Sequence, residues 1–322
     1  HNLFQQIKGF AGYGFPESHS ASFAVLAYVS CWLKFYFPVE FYVALLNSWP
    51  MGFYSPSQLV QDAKRHKITV IPPCINQSCY EHQVVYHKGY KKIQLGLAII
   101  KGLGEATAHE LCRQRPHEGF TRIETIQSLN IRRDELEALA SAGAFNALTG
   151  NRYQARWRMM DNQASLPLFD DCPINDSLAI TPNDADNLLE DYAATGLSTH
   201  DHPVALLHRE KSLNYITTAD KLQGKAHKSV VKVLGCVTGR QAPGTAAGVT
   251  FLTLEDHTGN MNVVVWVSTA RAQQPTFLKA KLLQVNGVIE RSKEGVIHII
   301  AGKLIDRTPW LASLSLTSRD FH

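Results

Sequence analysis

The first third of the chain alternates between apolar helical runs and short polar breaks. The apolar stretch at residues 21–46, "ASFAVLAYVSCWLKFYFPVEFYVALL", predicts two helices, because Pro38 suits the first turn of a helix and Glu40 follows at the positive end of its dipole. A third helix is predicted at "SPSQLVQDAKRH", where Ser55 and Gln58 have the spacing of a capping box. The chain therefore begins with a helical block.

A short β segment interrupts the helices. The stretch "ITVIPPCIN" predicts a strand ended by Pro72 and Pro73, and "HQVVYHKGYKKIQLGL" alternates around Lys88 and Gly89 as a hairpin does. The helical period then returns in four segments: "LAIIKGLGEATAHELCRQR", "RIETIQSLN", "RRDELEALASAGAFNAL" and "NRYQARWRMM". Short helices joined by glycine-bearing turns predict an array of helical hairpins.

The last part of the chain changes to a β pattern. Residues 161–190 carry Pro, Asp and Asn without sustained periodicity, which predicts a linker, and "HPVALLHREKSL" predicts one helix after it. From about Ser229, five short alternating runs follow, with a helical insert near "TARAQQPTFLKA". Five strands with this spacing predict a small Greek-key barrel of the OB type.

The predicted fold class is multidomain α+β. We expect a helical block with a small β-hairpin at 1–95, a tandem helix-hairpin-helix domain at 96–160, a linker with one helix at 161–224, an OB-fold β-barrel at 225–310 and a tail at 311–322.

Composition indicates a globular, soluble chain. Of the 322 residues, 45% are hydrophobic and 19% are charged. Lys34, Pro38 and Glu40 interrupt the most apolar stretch, whereas a membrane span needs about 18 continuous apolar residues, so a buried helix pair is the better interpretation. Six cysteines without a CxxC pair indicate reduced thiols. We expect a cytoplasmic protein without a targeting peptide, and a piece of a longer chain.

Charge is unevenly distributed along the chain. Residues 1–150 contain 14 basic residues (Lys and Arg) and 11 acidic residues (Asp and Glu). Residues 151–225 contain 7 basic and 11 acidic residues, and residues 226–322 contain 11 basic and 6 acidic residues. Two basic blocks thus flank an acidic connector. Basic blocks favour an anionic partner such as nucleic acid.

The strongest local motif is "IIKGLGEATAHEL". A Gly-apolar-Gly turn between two helices allows the amides of Gly102, Leu103 and Gly104 to converge on a phosphate oxygen, with Lys101 beside them. A degenerate second copy, "LASAGAF", is followed by three basic residues: Arg152, Arg156 and Arg158. We favour DNA binding over the alternative, in which the glycines only permit close packing.

The predicted barrel supplies a second set of DNA-binding candidates. An OB barrel binds single strands on its second and third strands and through two loops. Those loops contain Arg240 in the first, and Arg291 and Lys293 in the second, while Phe251 and Trp266 are candidate stacking residues. The alternative for each aromatic residue is a place in the barrel core, and alternation alone does not decide between them.

An apolar cluster, "QASLPLF", lies in the acidic linker. Gln163, Leu166, Leu168 and Phe169 form a set of hydrophobic anchors of the kind that docks in a partner's groove. The alternative is a segment that folds back over the edge of a core.

Two other clusters are weaker candidates. Cys74, Cys79 and His82 have no standard zinc spacing, so no metal site is predicted. The adjacent acids Glu255 and Asp256 precede a Thr-containing turn, which indicates turn capping. We predict no catalytic residue and no cofactor in this stretch of chain.

Four motifs together resemble one known family. They are "FAGYGFPESHSASFA", "LPLF", "TGLSTHDHP" and "APGTAAGVTFLTLEDHTGNMNVVVW". These motifs look like the C-terminal half of the bacterial C-family DNA polymerases, the replicative polymerase III α subunits and their relatives. They are most similar to the error-prone, damage-inducible branch, and the resemblance spans nearly the whole chain.

The resemblance implies the order of the parts. It places the end of the fingers first, then the tandem helix-hairpin-helix domain, a peptide that binds the bacterial sliding clamp, and the OB domain. Ser18, His19 and Ser20 would lie near the template or the incoming nucleotide. The alternative is that the two serines cap the following helix and the histidine makes an ordinary polar contact.

The resemblance also implies what a whole relative does. Its carboxylates, which hold two Mg²⁺ ions, would precede residue 1, so this chain is expected to bind primer-template and single-stranded DNA but not to polymerise. The parent would be a translesion, SOS-type DNA-directed DNA polymerase located at the nucleoid. A second hypothesis is a protein-interaction platform that docks mutagenesis accessory proteins, including an inactive Y-family-like polymerase, with the tail "WLASLSLTSRDFH" as part of its surface.

Overall fold

The described part of the chain begins with three helices, and the predicted signals at Pro38 and Ser55 mark the starts of the second and third. The computed structural model describes residues 17–51, 54–160, 181–243 and 248–311. The helices are α1 (Glu17–Tyr36), α2 (Pro38–Asn47) and α3 (Pro56–Arg65). The capping box at Ser55 and Gln58 is confirmed, since both of its hydrogen bonds are present.

A small sheet follows the three helices. Its strands are β1 (Val70–Ile71), β2 (Gln83–His87) and β3 (Tyr90–Gln94), in the order β1-β3-β2. The predicted hairpin is confirmed, because β2 and β3 pair antiparallel. Lys88 and Gly89 have φ values of 51° and 81°, as a tight two-residue hairpin turn requires at both central positions.

A helical module comes next, as predicted. After a single 3₁₀ turn (Leu97–Ile99) it contains α4 (Glu105–Gln114), α5 (Ile123–Gln127), α6 (Arg133–Ser141), α7 (Asn146–Thr149) and α8 (Arg152–Met160). Leu111, Ile126, Leu139 and Phe145 are fully buried in its core. The apolar period of these short helices therefore supplies one contiguous core.

The described part of the predicted linker is folded. It contains α9 (Asp184–Ala194), α10 (Pro203–Lys211) and α11 (Ala219–Leu222), of which the sequence predicted only α10. Asn183 caps α9 in a capping box with Asp186, a local signal that could have revealed this helix. Leu188 and Leu207 share a hydrophobic cluster with barrel residues Leu234 and Leu282.

The predicted barrel is confirmed in detail. Its elements are β4 (Val230–Gln241), β5 (Thr250–Glu255), β6 (Asn260–Val265), α12 (Val267–Ala272), α13 (Gln274–Lys279), β7 (Leu282–Arg291) and β8 (Ile297–Asp306). The strands close in the order β4-β5-β6-β8-β7, with β6 and β8 parallel. A closed five-stranded barrel with a helical insert between its third and fourth strands is the OB architecture.

Helix α1 exposes a broad apolar surface. Its large exposed side chains include Phe23, Val25, Leu26, Tyr28, Trp32 and Phe35. Among the described helices, none combines the length and hydropathy that crossing a bilayer demands. Contiguous apolar surface of this extent is typical of a protein contact.

Buried His82 makes the stability of the first block sensitive to pH. Its Nδ1 accepts a hydrogen bond from the Gly96 amide (3.0 Å), and Asn47 bonds its backbone on both sides. Burial lowers the pKa of His82 from 6.5 to about 4. The unfolded chain therefore binds a proton that the folded chain excludes, and stability present above pH 6.5 is lost as the pH falls towards 4.

We expect the wild-type chain to lose ~2 kcal/mol of unfolding free energy through His82 between pH 7 and pH 5. Urea unfolding at both pH values, compared with His82→Gln, measures this contribution, because every other group titrates in both proteins. The glutamine side chain keeps a hydrogen-bond acceptor but does not titrate. An equal pH dependence in the two proteins would contradict the assignment.

Candidate nucleic-acid interface

The predicted phosphate-binding turn is present between the 3₁₀ turn and α4. Gly102 is exposed and has a φ of +86°, a conformation that glycine adopts without steric cost. Its amide makes no hydrogen bond with any described residue. Gly104 is the N-cap residue of α4. The turn therefore points an exposed amide and the N-terminus of a ten-residue helix outwards.

Two amides of this turn are already occupied, since that of Leu103 donates to the Ile100 carbonyl (3.4 Å) and that of Gly104 to a side chain. The Gly104 amide donates to Oε1 of Glu135 on α6 (2.9 Å), and the Thr107 hydroxyl donates to the same oxygen (2.8 Å). Glu135 is buried, and its carboxylate lies at the positive end of α4. The expected convergence of all three turn amides on a phosphate is thus reduced to the amide of Gly102.

Lys101 contacts the end of a helix. Its Nζ donates to the carbonyl oxygens of Tyr192 and Ala193 (3.1 Å each), and its amide donates to Ala194 (2.9 Å). These are the last carbonyls of α9, which have no partner within their own helix. Lys101 therefore joins the turn to the connector, while its side chain remains exposed.

The second predicted turn is buried. Ala142, Gly143, Ala144 and Phe145 lie in the module's core, and the first three amides bond to carbonyls of α6. No phosphate can reach these amides in this structure. The second copy of the motif is therefore a packing element. This agrees with the alternative in which the glycines only permit close packing.

The structure corrects the prediction for Arg152. Its side chain is 3% exposed and pairs with Asp191 (2.7 Å), and it also donates to the Ser141 carbonyl (3.1 Å). A buried arginine with these partners holds α8 against α9 and does not contact DNA. The pair was invisible in the sequence because Arg152 and Asp191 are 39 positions apart.

Arg156, in the same region, forms ion pairs with two acidic residues. It pairs with Glu137 (2.6 Å) and with Glu190 (2.8 Å), and the hydrogen bonds that it donates to Glu190 and Glu137 raise its pKa. Arg158, the third predicted basic contact, is half-buried. The arginines of α8 thus lie within or against the protein, and they do not form an open basic face.

Both candidate stacking residues of the barrel are on its surface. Phe251 on β5 is 38% exposed, and Trp266, at the end of β6, is 52% exposed. Phe251 lies opposite Val264 in the β5–β6 pair. One exposed aromatic ring on the second strand and one directly after the third fit the surface that OB folds use for unpaired bases.

The three basic residues predicted in the barrel loops differ in their partners, and two of them, Arg240 and Arg291, lie at the ends of β4 and β7. Arg240 donates to the Phe277 carbonyl (3.1 Å) and to Ala280, so it closes the end of α13. Arg291 donates to the carbonyls of Gln223 (2.8 Å) and Lys225 (3.2 Å). Lys293 is exposed in the loop between β7 and β8 and makes no hydrogen bond or ion pair with the described residues.

A cleft that sequence reasoning missed separates the barrel from the first three helices. It has a volume of about 650 Å³. Its lining is polar on the barrel side and partly basic and aromatic on the helical side: Thr253, Asn260, Asn262, Lys34, Tyr54 and Arg65. Only tertiary packing brings these distant segments together, so no local pattern could have predicted the cleft.

Asp62 lies on the wall of this cleft. It accepts hydrogen bonds from Lys34 Nζ (2.8 Å) and from the Tyr42 hydroxyl (2.5 Å). Burial would raise the pKa of Asp62, but these hydrogen bonds outweigh it and lower the pKa below its ordinary value. The carboxylate therefore stays charged and partly neutralises the basic side of the cleft.

Several predicted residues fall partly or wholly outside the described structure. His19 and Ser20 are exposed in the first turn of α1, and the His19 ring lies 4.5 Å from Phe23. The Ser18 side chain lies outside the described residues, as do Gln163, Leu166, Leu168 and Phe169 of the docking peptide and the tail beyond Leu311.

The adjacent acids of the barrel have different roles. Asp256 accepts hydrogen bonds from the amides of Thr258 (2.7 Å) and Gly259 (2.9 Å), so the prediction of turn capping is confirmed for it. Glu255 instead lies buried with its Oε1 3.7 Å from His202 Nε2. This contact joins the barrel to the start of α10.

Comparison with known families agrees with the two modules. A helix-hairpin-helix motif matches residues 67–155, and an OB-fold nucleic acid binding domain matches residues 231–306. An asparaginyl-tRNA synthetase from Pyrococcus horikoshii shares 17% identity over 29% of the chain and 22% of its own chain, with a TM-score of 0.24, which is too low to bear on the fold.

Relatives match along the whole chain. Proteins named error-prone DNA polymerase are 55% identical over 99% of the chain in Vibrio campbellii and 47% identical over 100% of it in Teredinibacter turnerae. The chain spans only 31% and 32% of these two relatives. The resemblance to C-family DNA polymerases of the error-prone branch is confirmed: the chain is homologous throughout to about a third of such a polymerase, and it carries a helix-hairpin-helix motif followed by an OB-fold domain.

Proposed function

We propose that this chain is the DNA-binding and clamp-attaching region of an error-prone DNA-directed DNA polymerase. The observation that carries the proposal is the pairing of an exposed helix-hairpin-helix turn at Gly102 with an OB barrel that exposes Phe251 and Trp266. The first feature suits the backbone of a duplex, and the second suits unpaired bases. A polymerase meets both forms of DNA at the junction of primer and template.

Duplex binding by the turn would be independent of sequence. Backbone amides and a helix N-terminus contact phosphate oxygens, which are the same at every base pair. The occupied amides of Leu103 and Gly104 reduce this contact to the Gly102 amide, so we expect modest affinity that weakens as salt rises.

The parent polymerase would supply the chemistry. In this proposal its carboxylates and two Mg²⁺ ions lie in another part of the polypeptide, and the present chain alone has no polymerase activity. The exposed apolar surface of α1 supports this arrangement, because it is the kind of surface that a further part of the protein would cover. Ser18, His19 and Ser20, at the start of the same helix, would then approach the template or the nucleotide.

The peptide at residues 163–169 would attach the polymerase to the sliding clamp, and the whole protein would act in translesion synthesis at the nucleoid after DNA damage. The support is the sequence "QASLPLF", which has a polar residue followed by three large hydrophobic anchors.

The apolar surface of α1 also favours a second function, a platform for accessory proteins of mutagenesis, including an inactive Y-family-like polymerase. In that case DNA contact would be incidental. Absence of any DNA affinity at low salt would favour this second function over the first.

A charge placed at the turn tests duplex binding. Leu103 is half-buried at its tip, so Leu103→Glu brings a carboxylate towards any bound phosphate, while Leu103→Gln has nearly the same shape and no charge. We expect Leu103→Glu to weaken duplex binding about tenfold relative to Leu103→Gln at low salt. Fluorescence anisotropy with a labelled blunt duplex measures the effect. Equal affinities of the two variants would show that the turn does not meet the duplex.

A further inference from the structure

The hairpin formed by β2 and β3 has a surface that neither the turn at Gly102 nor the barrel explains. Its base packs into the first block through Ile93, which is fully buried, and Val84, which is partly buried. Its tip, residues 86–92, extends beyond this core. Lys92 is half-buried and Gly89 has no side chain, while the other five tip residues have exposed side chains: Tyr86, His87, Lys88, Tyr90 and Lys91.

The exposure of two tyrosines at this tip is unusual. Tyr86 is 71% exposed and Tyr90 is 76% exposed. A tyrosine ring is large and mostly apolar, and folding gains little from a ring left in water. Packing therefore gives no reason for either aromatic side chain at its position.

Charge at the tip has a single sign. The segment "HQVVYHKGYKKIQ" at residues 82–94 contains three lysines and two histidines but no Asp or Glu. Lys91 pairs with Glu40 on α2, which holds the hairpin against the helices. Lys88 and Lys92 form no ion pair with the described residues. Two cations are thus left for an anionic partner.

The strand register places an aromatic ring and a cation on each face of the tip. Tyr86 lies directly opposite Lys91, and His87 lies directly opposite Tyr90, while Lys92 is on the same face as Tyr90. The turn at Lys88 and Gly89 fixes both faces relative to each other. The tip is therefore a rigid element with rings and charges side by side.

We propose that the hairpin tip, Tyr86 to Lys92, is a binding site for single-stranded DNA. The tyrosine rings stack on unpaired bases, and Lys88 and Lys92 contact the phosphates that flank them. Single-stranded DNA is the occupant because a base shows its face only when it is unpaired, and because an alternation of aromatic rings and lysines matches the alternation of bases and phosphates. The inference rests on one part of the proposed function, namely that the chain binds DNA. It adds the hairpin tip as a third DNA-contact site beside the turn at Gly102 and the barrel.

The test measures binding of labelled oligo(dT) of twenty nucleotides and of a blunt duplex by the whole chain. Tyr86→Thr/Tyr90→Thr keeps residues that favour strands but removes both rings, while the matched control Tyr86→Phe/Tyr90→Phe keeps both rings. We expect the threonine pair to weaken oligo(dT) binding by about 25-fold or more, as loss of two stacked bases does, with duplex binding changed less than about twofold. The phenylalanine pair should bind both DNAs as the wild-type chain does.

A second variant tests the charges. Lys88→Asn/Lys92→Gln removes both lysines, and asparagine tolerates the positive φ at position 88. For single strands, the slope of log affinity against log salt should become shallower by about 1.4, since each phosphate contact contributes about 0.7. Thermal melting of every variant shows whether it folds as the wild-type chain does.

The outcomes separate this inference from the proposed function. Oligo(dT) binding by the threonine pair equal to wild type overturns the hairpin site, and so does an equal loss for oligo(dT) and duplex, which would show that the rings do not recognise unpaired bases. A barrel variant, Phe251→Ala/Trp266→Ala, is measured in parallel. Loss of binding in that variant alone leaves the proposed function standing without the hairpin, whereas no DNA binding by the wild-type chain overturns both.

Discussion

Replacing Arg152 with alanine is expected to destabilise the folded chain by about 3–5 kcal/mol, because the change leaves the Asp191 carboxylate buried without its partner. Asp191 also accepts a hydrogen bond from Ser198 (2.6 Å), so the change disturbs the contact between α8, α9 and the segment after it. Urea unfolding followed by circular dichroism measures the loss. The expected effect on DNA is indirect, through the fraction of folded chain.

Arg133→Ala is the matched control for this prediction. It removes the same charge from an exposed position in the same module, and we expect a change of less than about 0.5 kcal/mol. The double variant Arg152→Ala/Asp191→Ala should cost less than the sum of the single changes, because it removes both charges together. If Arg152→Ala is as stable as the wild-type chain but binds DNA more weakly, Arg152 contacts DNA, as the sequence predicted.

Removing both exposed aromatic rings of the barrel, Phe251→Ala with Trp266→Ala, is expected to weaken binding of single-stranded DNA by about 2–6 kcal/mol, since each stacked base contributes about 1–3 kcal/mol. Duplex affinity should change little, because paired bases offer no face to the rings. Anisotropy with labelled single-stranded and duplex DNA at one salt concentration measures both affinities.

The conservative variant Phe251→Tyr/Trp266→Phe is the control, since it keeps a ring at each position. Its affinity for single strands should remain close to that of the wild-type chain. The salt dependence of the alanine variant should also keep its slope, because stacking releases no counterions. If the alanine variant binds single strands as tightly as the control does, the barrel face is not the site.

The sequence predicted those parts of the fold that depend on local pattern. The helix starts at Ser55 and Pro38, the hairpin at Lys88 and the five strands of the barrel follow from capping, turn chemistry and alternation. Helix α9 was missed although Asn183 marks its start, because the polar residues around it resemble those of a linker. The capping signal at Asn183 was present, but the polar composition of the surrounding segment led to the prediction of a linker.

The candidate site could be predicted only in part. The turn at Gly102 is local and is where the sequence placed it, whereas the roles of Arg152 and Arg156 depend on acids in α6 and α9. Whether a basic side chain faces DNA or an internal acid is decided by tertiary packing, which spacing along the chain does not report. The exposed rings of Phe251 and Trp266 likewise needed the barrel to be closed before surface and core could be distinguished.

The hydrophobic cluster shared by α9, α10 and the barrel determines where the chain can be divided. Leu188 and Leu207 pack in one cluster with Leu234 and Leu282, so a cut at residue 225 would expose apolar surface on both products. A barrel that keeps α9 and α10 retains this cluster but loses the pair between Arg152 and Asp191, so a cut on either side of α9 costs stability. Because the cluster joins α9 to the barrel, an insertion that leaves the barrel attached is better placed before α9 than after it.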